Sequence, residues 1–284
     1  MQGLDPRARA ILAGVRKDLQ SGATQLALNT LGELLSYLDE VRPDVKTVSR
    51  LLAELRAARP NMIVIGNALG MVDQRLARDP RAARQALLDT RNQLQNATTT
   101  IARSAREQLP TAPVIMTHSA SSVVLALFRS MAEEHQSFSV ICTQSGPGFE
   151  GHSLARALDD LSVPVMLITD AQMGLFVSEA DVVVTGCDTW LSDGYFINKS
   201  GTHLLALAAR AAGKPFWVLA DSFRNSDADS GAVELEEMPV DELNAPEGKW
   251  ISPRNVYFEL VPHSLVSQRI SEQGVFSCPA GPRR

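Results

Sequence analysis

Three observations predict the fold class of this 284-residue chain: an N-terminal helical domain followed by an α/β domain with a Rossmann-like, doubly wound parallel sheet. Apolar residues recur at helical spacing through residues 6–107, and no alternating apolar–polar run appears before Pro110. After Thr111-Ala112-Pro113 the texture changes to short, β-branched-rich runs: "VIMTHS", "FSVICTQS", "PVMLITD", "ADVVVTGCD" and "PFWVLAD". Helical stretches separate four of these runs and a polar residue ends each of the five, which is the rhythm of parallel strands joined by right-handed crossovers. The expected domains are residues 1–109 and 110–284.

In the first domain, "RARAILAGVRKDLQ" places Ile11, Leu12, Val15 and Leu19 on one helix face. Residues 24–38 repeat the pattern with Leu26, Leu28, Leu31, Leu34, Leu35 and Leu38, and residues 47–57 and 61–77 follow. Pro43, Pro60 and Pro80 fall where helices stop or start. Residues 81–109 read as one long helix with a polar surface. In the second domain, the segment from Thr185 to the helix after Lys199 reads as a Gly-punctuated polar loop. "AVELEEMPVDELNAPEGK" reads as an acidic surface loop, and "NVYFELVPHSLVSQRISEQG" as a strand and a short helix.

Composition removes several function classes. Lys plus Arg number 27 against 32 Asp plus Glu, a net charge of -5, and no basic run is longer than Arg283-Arg284. A phosphate-backbone stripe is absent, so no direct nucleic-acid partner is expected. No run approaches the roughly 18 apolar residues of a membrane helix, and charges interrupt the N-terminus where a signal peptide needs its apolar region. The expected setting is the cytoplasm, with no membrane partner. Cys142, Cys187 and Cys278 lack a CxxC spacing, and His135, His152, His203 and His263 lack metal-ligand spacing, so neither a metal nor a disulfide framework is expected. No cofactor is expected either: "SGPGFEG" matches neither the dinucleotide nor the Walker pattern, and "THSAS" is not a nucleophile elbow.

In a doubly wound sheet ligands bind beyond the carboxyl ends of the strands. The residues there are His118 and Ser119, Gln144 and Ser145, Asp170, Asp188, and Asp221 and Ser222. Asp188 follows three valines at a strand tip, where poor solvation raises a carboxyl pKa and suits it to proton transfer; a cap for backbone amides is the other reading. Asn198 and Lys199 precede Ser200-Gly201-Thr202 and an apolar helix, which is either an anion site or a simple N-cap. His118 and Ser119 either cradle a phosphate or cap the next helix. Arg59, before Pro60, reads by itself as a solvated charge at a helix stop.

"GYFINKSGTHLLALAARAAGKPFWVLADSFRN" resembles the NK-x-GT helix and closing strand of a superfamily. That superfamily joins the alpha, beta and delta subunits of eukaryotic translation initiation factor 2B with methylthioribose-1-phosphate isomerase and ribose-1,5-bisphosphate isomerase. "SGATQLALNTLGEL", "ARPNMIVIGNAL", "IMTHSASSVV" and "TQSGPGFEGHSLARAL" resemble its other motifs in the same order. The resemblance implies a dimer, with related subunits as further partners, and a phosphorylated sugar or nucleotide as ligand. It implies Asp188 as the catalytic carboxyl, Asn198 and Lys199 as phosphosugar contacts, and Arg59 and Arg224 as further cationic positions. Where the family carries a reactive cysteine this chain has Ser119, and where it carries arginines this chain has Ser21, Gly146 and Ser153. A serine supplies neither proton nor base without a partner base. The expected function is therefore ligand binding of a regulatory kind, without the usual Cys-Asp isomerisation. The alternatives are an aldose-ketose isomerase in which Asp188 moves the proton and Ser119 polarises the substrate, directly or through His118, and a protein-interaction subunit with no small ligand.

Overall fold

The computed structural model describes residues 4–18, 21–60 and 62–278. The chain divides into two compact units between Thr98 and Thr99.

The first unit is helical: α1 (Pro6–Lys17), α2 (Ala23–Val41), α3 (Val45–Ala58), α4 (Ile63–Arg78) and the start of α5 (Ala83–Gln108). Local chemistry sets the boundaries. The Asp5 carboxylate accepts from Arg7 N at 2.9 Å and Ala8 N at 3.0 Å, and Pro6 opens α1 with φ already helical. Pro43, Pro60 and Pro80 follow or open helices as expected. Ile11, Leu12 and Val15 of α1 are buried, with Leu26, Leu31 and Leu34 of α2, while Leu28, Leu35 and Leu38 are half-buried. Leu19, expected on the same face of α1, lies outside the described residues.

The second unit takes up the end of α5 and continues through β1 (Val114–Thr117), α6 (Ser122–Glu133), β2 (Ser139–Thr143), α7 (Glu150–Asp160), β3 (Val165–Ile168), α8 (Met173–Phe176) and β4 (Val182–Thr185). It proceeds through β5 (Thr189–Leu191), β6 (Tyr195–Lys199), α9 (Thr202–Ala211), β7 (Phe216–Leu219), β8 (Asn225–Ser226), β9 (Phe258–Pro262), β10 (Gln268–Ser271) and β11 (Gly274–Ser277). A seven-stranded sheet runs in the order β11-β10-β7-β4-β1-β2-β3, parallel except for β11. Alternate residues of its strands enter two cores. Ile115, Val140, Val182, Val184 and Trp217 pack with Ile101 and Ala105 of α5 and with α6 and α7, while Met116, Ile141, Val183, Phe216 and Val218 pack with α8 and α9. Because both faces are covered, these strands read as continuous apolar runs.

Two expectations are corrected. The polar loop after β4 is a hairpin, β5–β6, within a second sheet of order β8-β5-β6-β9. Gly194, at φ 94°, supplies its turn, and Phe196, Ile197, Asn198 and Lys199 are all buried, so the two-residue alternation expected of a strand is not visible in the sequence. The chain also closes on strands rather than a strand and a short helix. Residues His263–Leu265 form one 3-10 turn, and "QRIS" pairs in parallel with β7, burying Ile270, before turning back as β11.

Candidate functional site

The chain winds outward from β1 to β2 and β3 and then returns to place β4 on the other side of β1. The carboxyl ends of β1 and β4 therefore flank the switch point, where crossovers leave in opposite directions and open a crevice. His118 and Ser119 lie at one tip, and Gly186, Cys187 and Asp188 at the other. The two tips approach closely, since a Cβ on Gly186 would overlap Ser121 Oγ.

The β1 tip is tied into a directional network. His118 is buried, with Nε2 2.8 Å from Ser200 O and Nδ1 2.6 Å from Thr143 Oγ1. A carbonyl only accepts, so Nε2 carries the proton and Nδ1 accepts from the Thr143 hydroxyl. Burial pushes the His118 pKa below the usual imidazole range against the opposing Ser200 hydrogen bond, which keeps the ring neutral. Ser119 and Ser145 adopt left-handed backbone, φ 65° and 61°, at the tips of adjacent strands. Ser119 N donates to Ser145 Oγ at 2.7 Å; Ser145 N and Gly146 N donate to the two Asp170 oxygens at 2.9 and 2.7 Å. Non-glycine residues held in that region carry strain, which recurs at binding sites. Gly201 permits the close approach of α9: it sits at φ 106°, and a Cβ there would lie 2.7 Å from His118 Nε2.

Opposite this network, Asp188 donates its backbone N–H to Ile197 O at 2.9 Å. Its side chain is half-buried, and among the described residues nothing hydrogen-bonds its carboxylate. Burial raises its pKa, opposed by the charges of Arg224 and Lys199 and reinforced by that of Glu150. The second sheet brings up the rest. Asn198 Nδ2 donates to Thr202 Oγ1 at 2.9 Å, and that hydroxyl donates to Lys199 O at 2.6 Å. The buried Lys199 ammonium reaches Glu150 Oε1 at 2.8 Å and lies 3.6 Å from the centre of the Tyr257 ring. Arg224 is buried with Nε 3.2 Å from Asp221 Oδ2. The thiols of Cys142 and Cys187 are pushed up by burial, Cys142 to about 11, so neither is a thiolate at neutral pH.

Six of the seven residues singled out from sequence, Asp188, Ser119, His118, Asn198, Lys199 and Arg224, thus lie in the α/β unit around its strand tips. Arg59 belongs to the helical unit, where its guanidinium donates to Val15 O at 3.1 Å and to Asp18 O, holding orphan carbonyls at the end of α1. Sequence reasoning missed Glu150, Tyr257 and Glu259. Glu150 opens α7 and reads as an acid at a helix N-terminus; Glu259 Oε1 accepts from Gly201 N and His203 N at 2.7 and 2.9 Å across the β6–β9 pairing. Tyr257 carries no local signal, because its neighbour Lys199 is set only by that pairing. Among the described residues no group of three His, Cys, Asp or Glu is placed to hold a metal ion.

Comparison with known proteins agrees with this fold. A Pyrococcus horikoshii protein described as translation initiation factor eIF-2B subunit 2-like is 32% identical over 279 residues, covering 97% of this chain and 98% of the relative. The ribose 1,5-bisphosphate isomerase of Archaeoglobus fulgidus is 28% identical over 264 residues, covering 89% of this chain and 84% of that enzyme. The crystal structure of Pyrococcus horikoshii OT3 translation initiation factor eIF-2B superposes with a TM-score of 0.82 at 31% identity, covering 97% and 98% of the two chains. A tetrameric eIF2B-beta2-delta2 complex from Chaetomium thermophilum contains a chain of the same fold, with TM-score 0.77 at 19% identity and coverage of 95% and 92%. The sequence profile of the Initiation factor 2 subunit family matches residues 7–278, and the chain belongs to that family.

Proposed function

We propose that this protein is a subunit of the initiation factor 2B alpha type whose switch-point crevice binds a phosphorylated sugar or nucleotide as a regulatory ligand. The observation that carries the reading is Asp188: a carboxylate among protein atoms, reached by solvent and hydrogen-bonded by no described residue, with Arg224 and Lys199 acting on it. Such a group is poised to accept from a sugar hydroxyl, while Asn198 and Lys199 supply donors beside it. The same geometry disfavours the isomerisation that relatives are named for. Both ring nitrogens of His118 are committed to Ser200 and Thr143, which makes it a positioning residue and leaves the Ser119 hydroxyl without a partner base.

Thermal unfolding against pentose and hexose phosphates and nucleoside monophosphates tests this. A ligand at 100 times its Kd should stabilise the protein by about 2.7 kcal/mol. Lys199→Ala should abolish that shift, and no turnover should accompany it; a panel without a single shift would sink the reading.

One observation favours a second reading, an aldose-ketose isomerase: the raised Asp188 pKa suits a carboxyl that carries a proton between adjacent carbons. It predicts a substrate converted by the wild type and bound but unconverted by Asp188→Asn. For assembly, α8 and α9 pack together and expose Leu175, Leu204 and Leu207, at 65%, 66% and 45%. An apolar patch of this kind supports a homodimer, or pairing with a related subunit, through that face. A cytoplasmic setting goes with a translation-factor role. Among the described residues no helix is long and apolar enough to cross a membrane.

A further inference from the structure

The crevice is rich in backbone and side-chain groups that bind anions, and the protein's own carboxylates already engage them. At the tip of β2, the left-handed Ser145 turns two successive N–H groups, Ser145 N and Gly146 N, toward one point, and the two Asp170 oxygens sit there at 2.9 and 2.7 Å. Consecutive amides arranged in this way are an anion nest. The Lys199 ammonium, its side chain 4% exposed, is held by Glu150 Oε1 at 2.8 Å and faces the Tyr257 ring. The second Glu150 oxygen is buried and has no hydrogen-bond partner. At the start of α9, Gly201 N and His203 N are taken by Glu259, and at the end of β7, Ser222 N points to both oxygens of Glu272 at 3.3 and 3.1 Å. The turn between β2 and α7, residues 144–149, holds no Lys or Arg, and residue 153 in α7 is Ser, so neither contributes a cation.

The consequence is a limit on ligand charge. The charges acting on Asp188 are those of Glu150, Arg224 and Lys199; Arg224 is already held by Asp221 and Lys199 by Glu150, and Asp170 fills the nest at the tip of β2. One phosphate can share the Lys199 ammonium, which has three donors and spends one on Glu150. A second phosphate, placed toward the β2 turn, meets the Asp170 carboxylate in the nest and, from the start of α7, the unpartnered oxygen of Glu150. Like charges at that range in a partly desolvated cleft repel strongly.

We propose that Glu150 and Asp170 are specificity-determining residues that restrict the crevice to ligands bearing a single phosphate and turn away sugar bisphosphates. The proposal rests on the crevice being a sugar-phosphate site, and its test separates the two. Binding of ribose 5-phosphate and of ribose 1,5-bisphosphate is measured by calorimetry on the wild type, Glu150→Gln and Asp170→Asn. The Gln variant keeps an amide oxygen to accept a hydrogen bond from Lys199 while removing the charge, and circular dichroism melts establish that each variant is folded.

The wild type should bind the monophosphate at least tenfold tighter than the bisphosphate. Glu150→Gln should shrink that ratio at least tenfold by tightening the bisphosphate, with Asp170→Asn acting in the same direction. Equal or tighter bisphosphate binding by the wild type overturns this specificity and leaves the sugar-phosphate reading standing. An unchanged ratio in both folded variants overturns it as well. Failure of the wild type and both variants to bind either sugar overturns the sugar-phosphate reading itself, and this inference with it.

Discussion

His263 illustrates how a single side chain couples stability to pH. Its ring stacks on Trp190 with centroids 3.8 Å apart, and Nε2 is buried with no hydrogen-bond partner. Burial lowers its pKa to about 4 against the opposing Tyr195 backbone hydrogen bond. An imidazole of ordinary pKa near 6.5 in the unfolded chain takes up a proton that the folded ring refuses. The stability this group contributes is therefore complete above about pH 6.5 and is lost as pH falls from there toward 4. His118, lowered in the same direction, adds to the loss. Urea denaturation from pH 7 down to 4 should show stability falling with acidification, and His263→Phe, which keeps the aromatic stack, should reduce the slope by up to about one proton. A slope unchanged in that variant would mean His263 is charged in the folded protein. None of this is visible in the sequence, where His263 is one histidine in "VPHSL"; its burial follows from the pairing of β6 with β9.

At the scale of elements, ends are written locally and partners are not. The first turn of α1 depends on Asp5, whose carboxylate takes two backbone N–H groups and also accepts from Tyr37 OH at 2.5 Å. Asp5→Ala should cost about 1–2 kcal/mol, the range of a lost N-cap, read from the shift of the urea midpoint at constant m-value. A change under about 0.3 kcal/mol would mean that water replaces the cap. The "DPRARA" signal for that helix start is legible because cap, proline and periodicity lie within a few residues of one another. The β5–β6 hairpin is the contrary case: β5 has three residues, and β6 is buried over four consecutive positions, Asn198 and Lys199 among them. Polar residues in a strand interior read as a loop until the partners that satisfy them are known. Here those partners are Thr202 for Asn198 and Glu150 and Tyr257 for Lys199.

At the scale of the whole molecule, the outward face of α8 and α9 carries the assembly prediction. Light scattering should find the wild type dimeric at micromolar concentration, and Leu204→Lys with Leu207→Lys should shift it to monomer without loss of secondary structure; a wild type that is monomeric throughout removes the face from consideration. The sequence by itself determined the order of the helices and of strands β1, β2, β3, β4 and β7, the helical and α/β textures, and the residues at those strand tips, because each depends on periodicity and punctuation within about ten residues. It also singled out Asp188, Asn198 and Lys199 as a cluster, since they share one short segment. The tertiary structure alone decided that β4 returns beside β1 to create the switch point, that the polar segment is a sheet, and that Glu150 and Asp170 stand in the anion cradles. Those facts are contacts between residues tens of positions apart, and which carboxylate meets which cation depends on strand order and register that no local pattern encodes.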